Sequence, residues 1–289
     1  MNQGGRTLRG LGEEGSMATV ADVVAWADVR YPPGLAEEWD TPGLSVGDPR
    51  RVVRHVRFAV DPTIAVAREA IAAGADMLIT HHPLMLRGVT TVAANTAQGA
   101  VVHTLIANGC ALFAAHTNAD AVDGGVAEAL ALAIGMNVEG PLVPVEPGSV
   151  DGTGRIGTIA PMSLSDFAAV VAAALPATAG GVLFAGDPDG IVTSVAVVGG
   201  SGGSYIGDAV TSGVDAFVTA DLRHHPATDA REAAILAGGK PYLVSVSHAA
   251  SESLWLQEAA DELAQALDVT TSVSTLNTDP WTGHAPSTT

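Results

Sequence analysis

Short apolar runs alternate with amphipathic segments along the first half of the chain. Apolar alternation predicts a strand over Val52–Val60, and continuous apolar runs predict strands over Met77–Thr80 and Ala111–Ala115. Strands that alternate with helices at this spacing indicate βαβ units and a mostly parallel sheet. The helices predicted between and around them are Ala18–Val29, a segment from Asp61-Pro62 to Gly74 with Asp61 as the N-cap, Thr96–Asn108, and a segment from Gly124-Gly125 to Leu132.

A second set of elements follows Val138–Thr153, a stretch rich in Pro, Gly and Val. We therefore predict an α/β fold of two related lobes with mostly parallel sheets. One lobe comprises residues 18–140 and 241–289, the other comprises residues 141–240, and residues 1–17 form a disordered leader, with Met17 as an alternative start. The predicted elements of the second set are strands Arg155–Ile159, Val182–Ala185, Ser194–Val198, Ala216–Thr219 and Tyr242–Val246, and helices Ser165–Leu175, Tyr205–Ser212 and Ala250–Leu267.

A weak internal repeat relates the two lobes. The segment Gly74–Thr80 leads directly into His81-His82-Pro83, and the similar segment Gly213–Thr219 leads, after four more residues, into His224-His225-Pro226. One match of this length also arises by chance, so common origin and coincidence both stay open at this point.

The composition restricts the classes of function. Acidic residues number 31 against 13 basic ones, for a net charge of -18, and no basic cluster is present. Nucleic acids and anionic membranes are therefore not expected partners. A single cysteine argues against a disulfide framework, and the chain contains neither a long apolar span nor an apolar secretion signal. We expect a cytoplasmic protein.

Metal-competent side chains follow three of the predicted strands within a few residues. Ligands gather at the carboxyl ends of the strands in parallel sheets, so we expect these side chains to face one crevice. Imidazole and carboxylate ligands suit Zn, Mn, Fe or Ni. The residues are His81 and His82 after the first strand, His116 and Asp120 after the second, and His248 and Glu252 after the third.

The spacing within these groups bears on how ions are held. His248 and Glu252 are four residues apart at a helix start, so they share one face and can hold one ion. The adjacent side chains of His81 and His82 point to opposite sides of an extended segment, which suits two ions. Each group alone also has a structural interpretation, as a turn or as a surface pair. Their occurrence at three strand ends favours a metal site.

Other features have a structural explanation. The segment Gly199–Ser204 follows a strand and opens a helix, so it is either an anion-binding cradle or a tight βα turn. It has neither the lysine of a P-loop nor the spacing of a dinucleotide site. Cys110 is interpreted as a small buried hydrophobic residue, and His55, His103 and His284 as structural or solvated.

Seven motifs occur in one order between Ala18 and Trp281: Leu35–Gly47, Ile79–Leu84, Ala115–Asp120, Val198–Gly202, Thr219–His225, Ser247–Glu252 and Asn277–Trp281. Together they resemble the Nif-three-like family, whose members carry the name GTP cyclohydrolase I type 2 homologue. The chain departs from the usual family pattern at Thr41, Pro226 and Ser247, where Asn, Asp and Gly are usual.

The resemblance implies a two-lobed α/β fold, a dinuclear metal centre and a toroidal homohexamer whose sites face the internal cavity. It also implies that His116 lies beside the two divalent ions without binding them. The metal ligands that it implies are His81, His82, Asp120, His248 and Glu252.

We therefore predict a metal-dependent hydrolase of a small molecule that the sequence does not identify. Glu252 is the expected bridging carboxylate, and His116, or His224 and His225, are the expected proton carriers. The alternative is a non-enzymatic metal-binding ring that acts as a regulator, a chaperone or a metal store.

Overall fold

The structure is a computed structural model that describes residues 17–286. The predicted leader lies outside the described residues, apart from Met17. The helices are α1 (Val20–Arg30), α2 (Ile64–Ala72), α3 (Ala97–Asn108), α4 (Thr117–Ala121), α5 (Val126–Ala133), α6 (Leu164–Ala174), α7 (Ile206–Ser212), α8 (His224–Leu236), α9 (His248–Glu252) and α10 (Leu256–Ala266). The strands are β1 (Gly43–Val46), β2 (His55–Ala59), β3 (Met77–Thr80), β4 (Ala111–Ala114), β5 (Asn137–Gly140), β6 (Val143–Pro144), β7 (Gly152–Thr153), β8 (Arg155–Ser163), β9 (Leu183–Ala185), β10 (Ile191–Ser201), β11 (Ala216–Ala220), β12 (Tyr242–Val246) and β13 (Thr270–Val273).

The chain divides into two compact units. The described part of the first comprises residues 17–119 and 256–276, and that of the second comprises residues 120–255 and 277–286. The sequence placed residues 120–140, 241–255 and 277–286 with the other lobe. The first two ranges belong to the second unit because α5 packs against β10 and β12 pairs with β11, and in the third Asp279 accepts a hydrogen bond from Ser247.

The first unit contains a five-stranded sheet in the order β1-β4-β3-β2-β13. The strands from β13 to β4 pair in parallel, and β1 adds to β4 in antiparallel orientation. Every residue of β3 and β4 is buried, as expected of central parallel strands with helices on both faces. Leu78, Leu105 and Leu112 lie in the core that α2 and α3 share with the sheet.

The second unit contains a six-stranded sheet in the order β5-β8-β10-β11-β12-β9. Only β10, β11 and β12 pair in parallel, so this sheet is mixed rather than mostly parallel. Phe167, Val195, Val218 and Val244 lie in its core. The predicted α/β class is confirmed, with the five-stranded sheet in the first unit and the six-stranded sheet and the two-stranded β6-β7 sheet in the second.

The internal repeat has a structural counterpart. Asp76 lies just before β3 and accepts hydrogen bonds from the amides of Arg54 (2.8 Å) and His55 (3.2 Å). Asp215 lies just before β11 and accepts from the amides of Thr193 (2.7 Å) and Ser194 (3.1 Å). The same side chain thus fixes the neighbouring parallel strand in both units, which favours common origin over coincidence.

Two helix predictions are wrong in detail. Helix α2 begins at Ile64 with Thr63 as its N-cap, because the Thr63 hydroxyl accepts from the amide of Val66, whereas the carboxylate of Asp61 binds His82. The predicted single helix Ala250–Leu267 is divided into α9 and α10.

Within residues 17–286, no helix is both long enough and apolar enough to cross a membrane.

Candidate metal centre

Three neighbouring strands of the first unit end at the same edge of the sheet. Because β2, β3 and β4 are parallel, the residues that follow them converge. Asp61 follows β2, His81 and His82 follow β3, and His116 follows β4. The predicted convergence of the two histidine-bearing strand ends is therefore confirmed within this unit.

The three imidazoles form a compact group. The ring centroids are separated by 5.0 Å for His81 and His82, 5.3 Å for His81 and His116, and 5.6 Å for His82 and His116. One ring nitrogen from each lies within 4.8 Å of the others. Three nitrogen atoms at this spacing can coordinate a divalent ion.

Each ring in this group has an oxygen acceptor at Nδ1. The carbonyl of Ala115 lies 2.9 Å from His81 Nδ1, the carboxylate of Asp61 lies 2.7 Å from His82 Nδ1, and that of Asp40 lies 3.0 Å from His116 Nδ1. A carbonyl or carboxylate oxygen only accepts, so in His81 and His82, whose contacts are hydrogen bonds, Nδ1 carries the proton and Nε2 the lone pair. That tautomer is the one that binds a metal through Nε2.

Asp40 is fixed in turn by Thr117. Its carboxylate accepts from the amide (3.1 Å) and the hydroxyl (2.6 Å) of Thr117. Burial alone raises the pKa of Asp40, but the hydrogen bonds from Thr117 and His116 outweigh burial and lower it. Burial lowers the pKa of His116, and the neighbouring His81 lowers it further. His116 is therefore a buried, oriented imidazole that favours its neutral form.

The second unit presents a similar set of strand ends. The parallel strand β10 contains Gly200 near its end, and the strands β11 and β12 lead to Asp221 and His248 respectively. Asp221 Oδ2 lies 2.6 Å from His248 Nδ1, and Glu252 Oε1 lies 2.9 Å from His248 Nε2. Asp221 has a φ of 54°, a left-handed conformation that Asp tolerates better than most residues. This conformation turns the chain immediately after the strand.

The geometry of His248 and Glu252 fits a shared ion. Two ligands about 2.1 Å from one ion at right angles are about 3 Å apart, and the two atoms here are separated by 2.9 Å. The Glu252 side chain is almost completely buried, so a cation is the natural compensation for its charge. The donor set of the second unit therefore also fits a divalent metal.

Asp120 lies in α4 and is half-buried. Arg155 donates to the carbonyl of Val122 (2.8 Å) in the segment after Asp120, and also to the carbonyls of Gly152 (2.8 Å) and Gly154 (2.7 Å) in its own segment. Arg155 Nε also donates to Glu128 (3.1 Å), and Glu128 accepts from the amide of Gly124 (3.1 Å). The loop that follows the proposed carboxylate ligand is thus fixed at both its carbonyl and its amide groups.

The carboxylates that orient the histidines were not identified as site residues from the sequence. Asp61 and Asp221 each follow a strand within two residues. A search for every carboxylate that closely follows a predicted strand would therefore have found both. Asp40 lies in a loop, and only its place in the Trp-Asp motif singles it out. The spacing of residues along the sequence indicates where strands end, but it does not show which loop carboxylate lies beside a given histidine.

The remaining histidines and the cysteine are structural or exposed. His55 Nε2 lies 2.7 Å from the hydroxyl of Ser272, and His103 is exposed. Cys110 is buried, and burial raises its pKa to about 12. The rings of His224 and His225 lie 5.2 Å apart at the exposed start of α8. The structural interpretations of His55 and Cys110 are therefore confirmed.

Comparison with known proteins extends over nearly the whole chain. A family model described as Duf34/NIF3 (NGG1p interacting factor 3) matches residues 18–280. A Streptomyces coelicolor protein named GTP cyclohydrolase 1 type 2 homolog is 46% identical over 280 residues, which cover 94% of this chain and 96% of that protein.

Solved structures agree with this match. The Staphylococcus aureus protein SA1388 has a TM-score of 0.83 at 29% identity, with 92% of this chain and 99% of that chain covered. A Bacillus cereus protein related to NIF3 has a TM-score of 0.79 at 27% identity, with 92% and 99% covered.

Proposed function

Because the chain belongs to the Duf34/NIF3 family, we propose that it is a dinuclear metal-dependent hydrolase of a small molecule. The proposed centre holds two divalent ions, from among Zn, Mn, Fe and Ni. The name of the Streptomyces coelicolor relative suggests a cyclohydrolase-like reaction, in which water opens a ring. The proposed ligands are His81, His82, Asp120, His248 and Glu252.

The orientation of the histidines is the observation that carries the proposal. The rings of His81, His82, His116 and His248 all have a carbonyl or carboxylate acceptor near Nδ1. Metal-binding histidines characteristically donate their second nitrogen to such a group, which fixes the ring and strengthens Nε2 as a ligand. Four rings with this arrangement are difficult to explain as a packing requirement alone.

Two ions are proposed because each unit contributes its own ligand group. His81 and His82 lie in the first unit, and His248 and Glu252 lie in the second. Asp120 is the residue at which the chain enters the second unit, only four positions after His116. The two additional carboxylates balance part of the charge of two divalent cations, which imidazoles alone leave uncompensated.

When bound, a pair of divalent ions lowers the pKa of a bridging water to near neutrality and polarises a carbonyl-like or phosphoryl centre. The protein residues have complementary roles in this proposal. Glu252, the buried last residue of α9, would be the bridging carboxylate of the pair. Burial keeps bulk water away from the Glu252 carboxylate in the second unit and from the His81 imidazole in the first.

His116 is the proposed general base and acid. Asp40 lies 3.0 Å from its Nδ1 and is itself bound by Thr117, so a proton accepted at Nε2 is stabilised by a fixed carboxylate. His224 and His225 are a second candidate pair for carrying protons at the exposed start of α8.

The test of the proposed function is a screen of metal-loaded protein against a metabolite mixture, read by mass spectrometry. The expected result is consumption of a compound with a mass gain of one water, abolished by Glu252→Gln. Glu258→Gln is the matched control, because Glu258 is exposed on α10. Metal-replete protein without any turnover would instead favour the non-enzymatic regulator, chaperone or metal store.

We also propose that the chain assembles in the cytoplasm as a homohexameric ring. The exposed apolar residues of the second unit, among them Leu183, Ile235 and Leu236, offer surface for contacts between copies. Light scattering at micromolar concentration is expected to give about six times the 29.0 kDa of one chain. A stable monomer under these conditions would contradict the proposed assembly.

A further inference from the structure

The segment predicted as a glycine turn is the end of strand β10. The strand continues to Ser201, and its register with β11 shifts between Val197 and Ser201. Gly200 lies at this irregularity with a φ of 61°, in the left-handed region. A strand end at this position directs its backbone towards α9, which carries His248 and Glu252.

Backbone groups of this segment are bonded within the unit. The amide of Gly200 donates to the hydroxyl of Ser251 (2.9 Å), and that hydroxyl donates to the carbonyl of His248 (2.7 Å). The hydroxyl of Thr219 donates to the carbonyl of Gly200 (3.0 Å) and accepts from the amide of Gly202 (2.8 Å). Two amides of the segment are therefore engaged, which argues against the anion cradle considered from the sequence.

A side chain at Gly200 would compete for space with the ligand atoms. A Cβ atom there would overlap Glu252 Oε1 and would lie 3.0 Å from His248 Nε2. Both are terminal atoms of side chains that can rotate, whereas the backbone around Gly200 is tied to Ser251 and Thr219. The ligand atoms, and not the fold, would therefore give way.

We infer that Gly200 is a positioning residue for the metal centre. The absence of its Cβ atom leaves the space in which the Glu252 carboxylate and the His248 imidazole lie 2.9 Å apart. The inference rests on the proposed function and goes beyond it, because Gly200 has no side chain with which to bind an ion. It also assigns a role to the Gly199–Ser204 segment.

The test is a competitive Zn²⁺ titration of Gly200→Ala against two matched glycine variants. Gly213 has a similar φ of 73° with open space around its Cβ position, so Gly213→Ala reproduces the backbone strain alone. Gly203 has open space and no positive φ, so Gly203→Ala is the neutral control. We expect Gly200→Ala to weaken Zn²⁺ binding by ~10–100-fold and both controls to bind as the unmodified protein does.

The melting temperature shows whether Gly200→Ala weakens Zn²⁺ binding by moving the ligand atoms or by destabilising the fold. Gly200→Ala and Gly213→Ala are expected to lower it by similar amounts, since both place alanine in the left-handed region. In a Glu252→Asp background the additional loss caused by Gly200→Ala is expected to shrink, because the shorter carboxylate withdraws from the new Cβ atom. A merely structural glycine would show no such coupling.

The outcomes are distinguishable. If the unmodified protein binds Zn²⁺ and Gly200→Ala binds it as tightly as Gly213→Ala does, the inference is overturned while the proposed function stands. Failure of Gly200→Ala to fold, when Gly213→Ala folds, would also overturn it, because the glycine would then serve the fold. If the unmodified protein binds none of Zn²⁺, Mn²⁺, Fe²⁺ and Ni²⁺, the proposed function is overturned and the inference with it.

Discussion

Replacing His81 and His82 together with alanine is expected to remove most of the metal from a protein that otherwise carries about two divalent ions per chain. The double substitution removes two of the three imidazoles of the first group, and the remaining nitrogen of His116 is too few to hold an ion there. Elemental analysis of protein purified without chelator measures the result directly.

A second adjacent histidine pair provides the control. His224→Ala with His225→Ala changes the composition in the same way at an exposed position, so its metal content is expected to be unchanged. Full occupancy in the His81 and His82 double variant would place the metal elsewhere in the chain. Circular dichroism checks that the loss of the buried His81 ring has not unfolded the protein.

Asp120→Ala is expected to strip at least one ion from the centre, whereas His116→Ala is expected to weaken binding by ~10–100-fold without emptying a site. A carboxylate offsets the charge of two cations in a way that a neutral imidazole cannot, and without Asp120 only Glu252 offsets it. His116, already oriented by Asp40, is expected to act beside the ions. A competitive metal titration of both variants measures the difference.

The two variants also test each other. They lie four residues apart on either side of the start of α4, so a general disturbance of this segment would affect both alike. An empty site in His116→Ala together with two retained ions in Asp120→Ala would reverse the assignment of ligand and neighbour. Asp120→Asn separates charge from shape, because it keeps the size of the side chain and removes the negative charge.

Central parallel strands made much of the site predictable from the sequence. β3 and β4 are buried on both faces, so they occur as continuous apolar runs whose ends are sharply defined. A polar residue directly after such a run must lie at the sheet edge, which is why His81, His82 and His116 were found. The same reasoning located His248 after β12.

Edge elements and tertiary partners were not predictable in the same way. β1 and β13 are short strands of mixed burial, and their pairing depends on neighbours distant in the sequence. Asp61 fits the pattern of a helix N-cap, but its carboxylate binds His82 instead. Whether such a carboxylate caps its own helix or binds a distant histidine depends on the three-dimensional structure. The hydrophobic periodicity of the sequence does not carry that information.

The anchorage of the Asp120 segment by Arg155 bears on the thermodynamics of cation uptake. The buried Arg155 guanidinium donates to the carbonyl of Val122 in this segment, and Glu128, which Arg155 also binds, accepts from the amide of Gly124; neither contact requires an ion. Conformational entropy of the segment is therefore lost when the chain folds, and little remains to be lost when a cation arrives. Uptake then resembles the filling of a preorganised cage, in which desolvation of the ion and not ordering of the protein is the main opposing term.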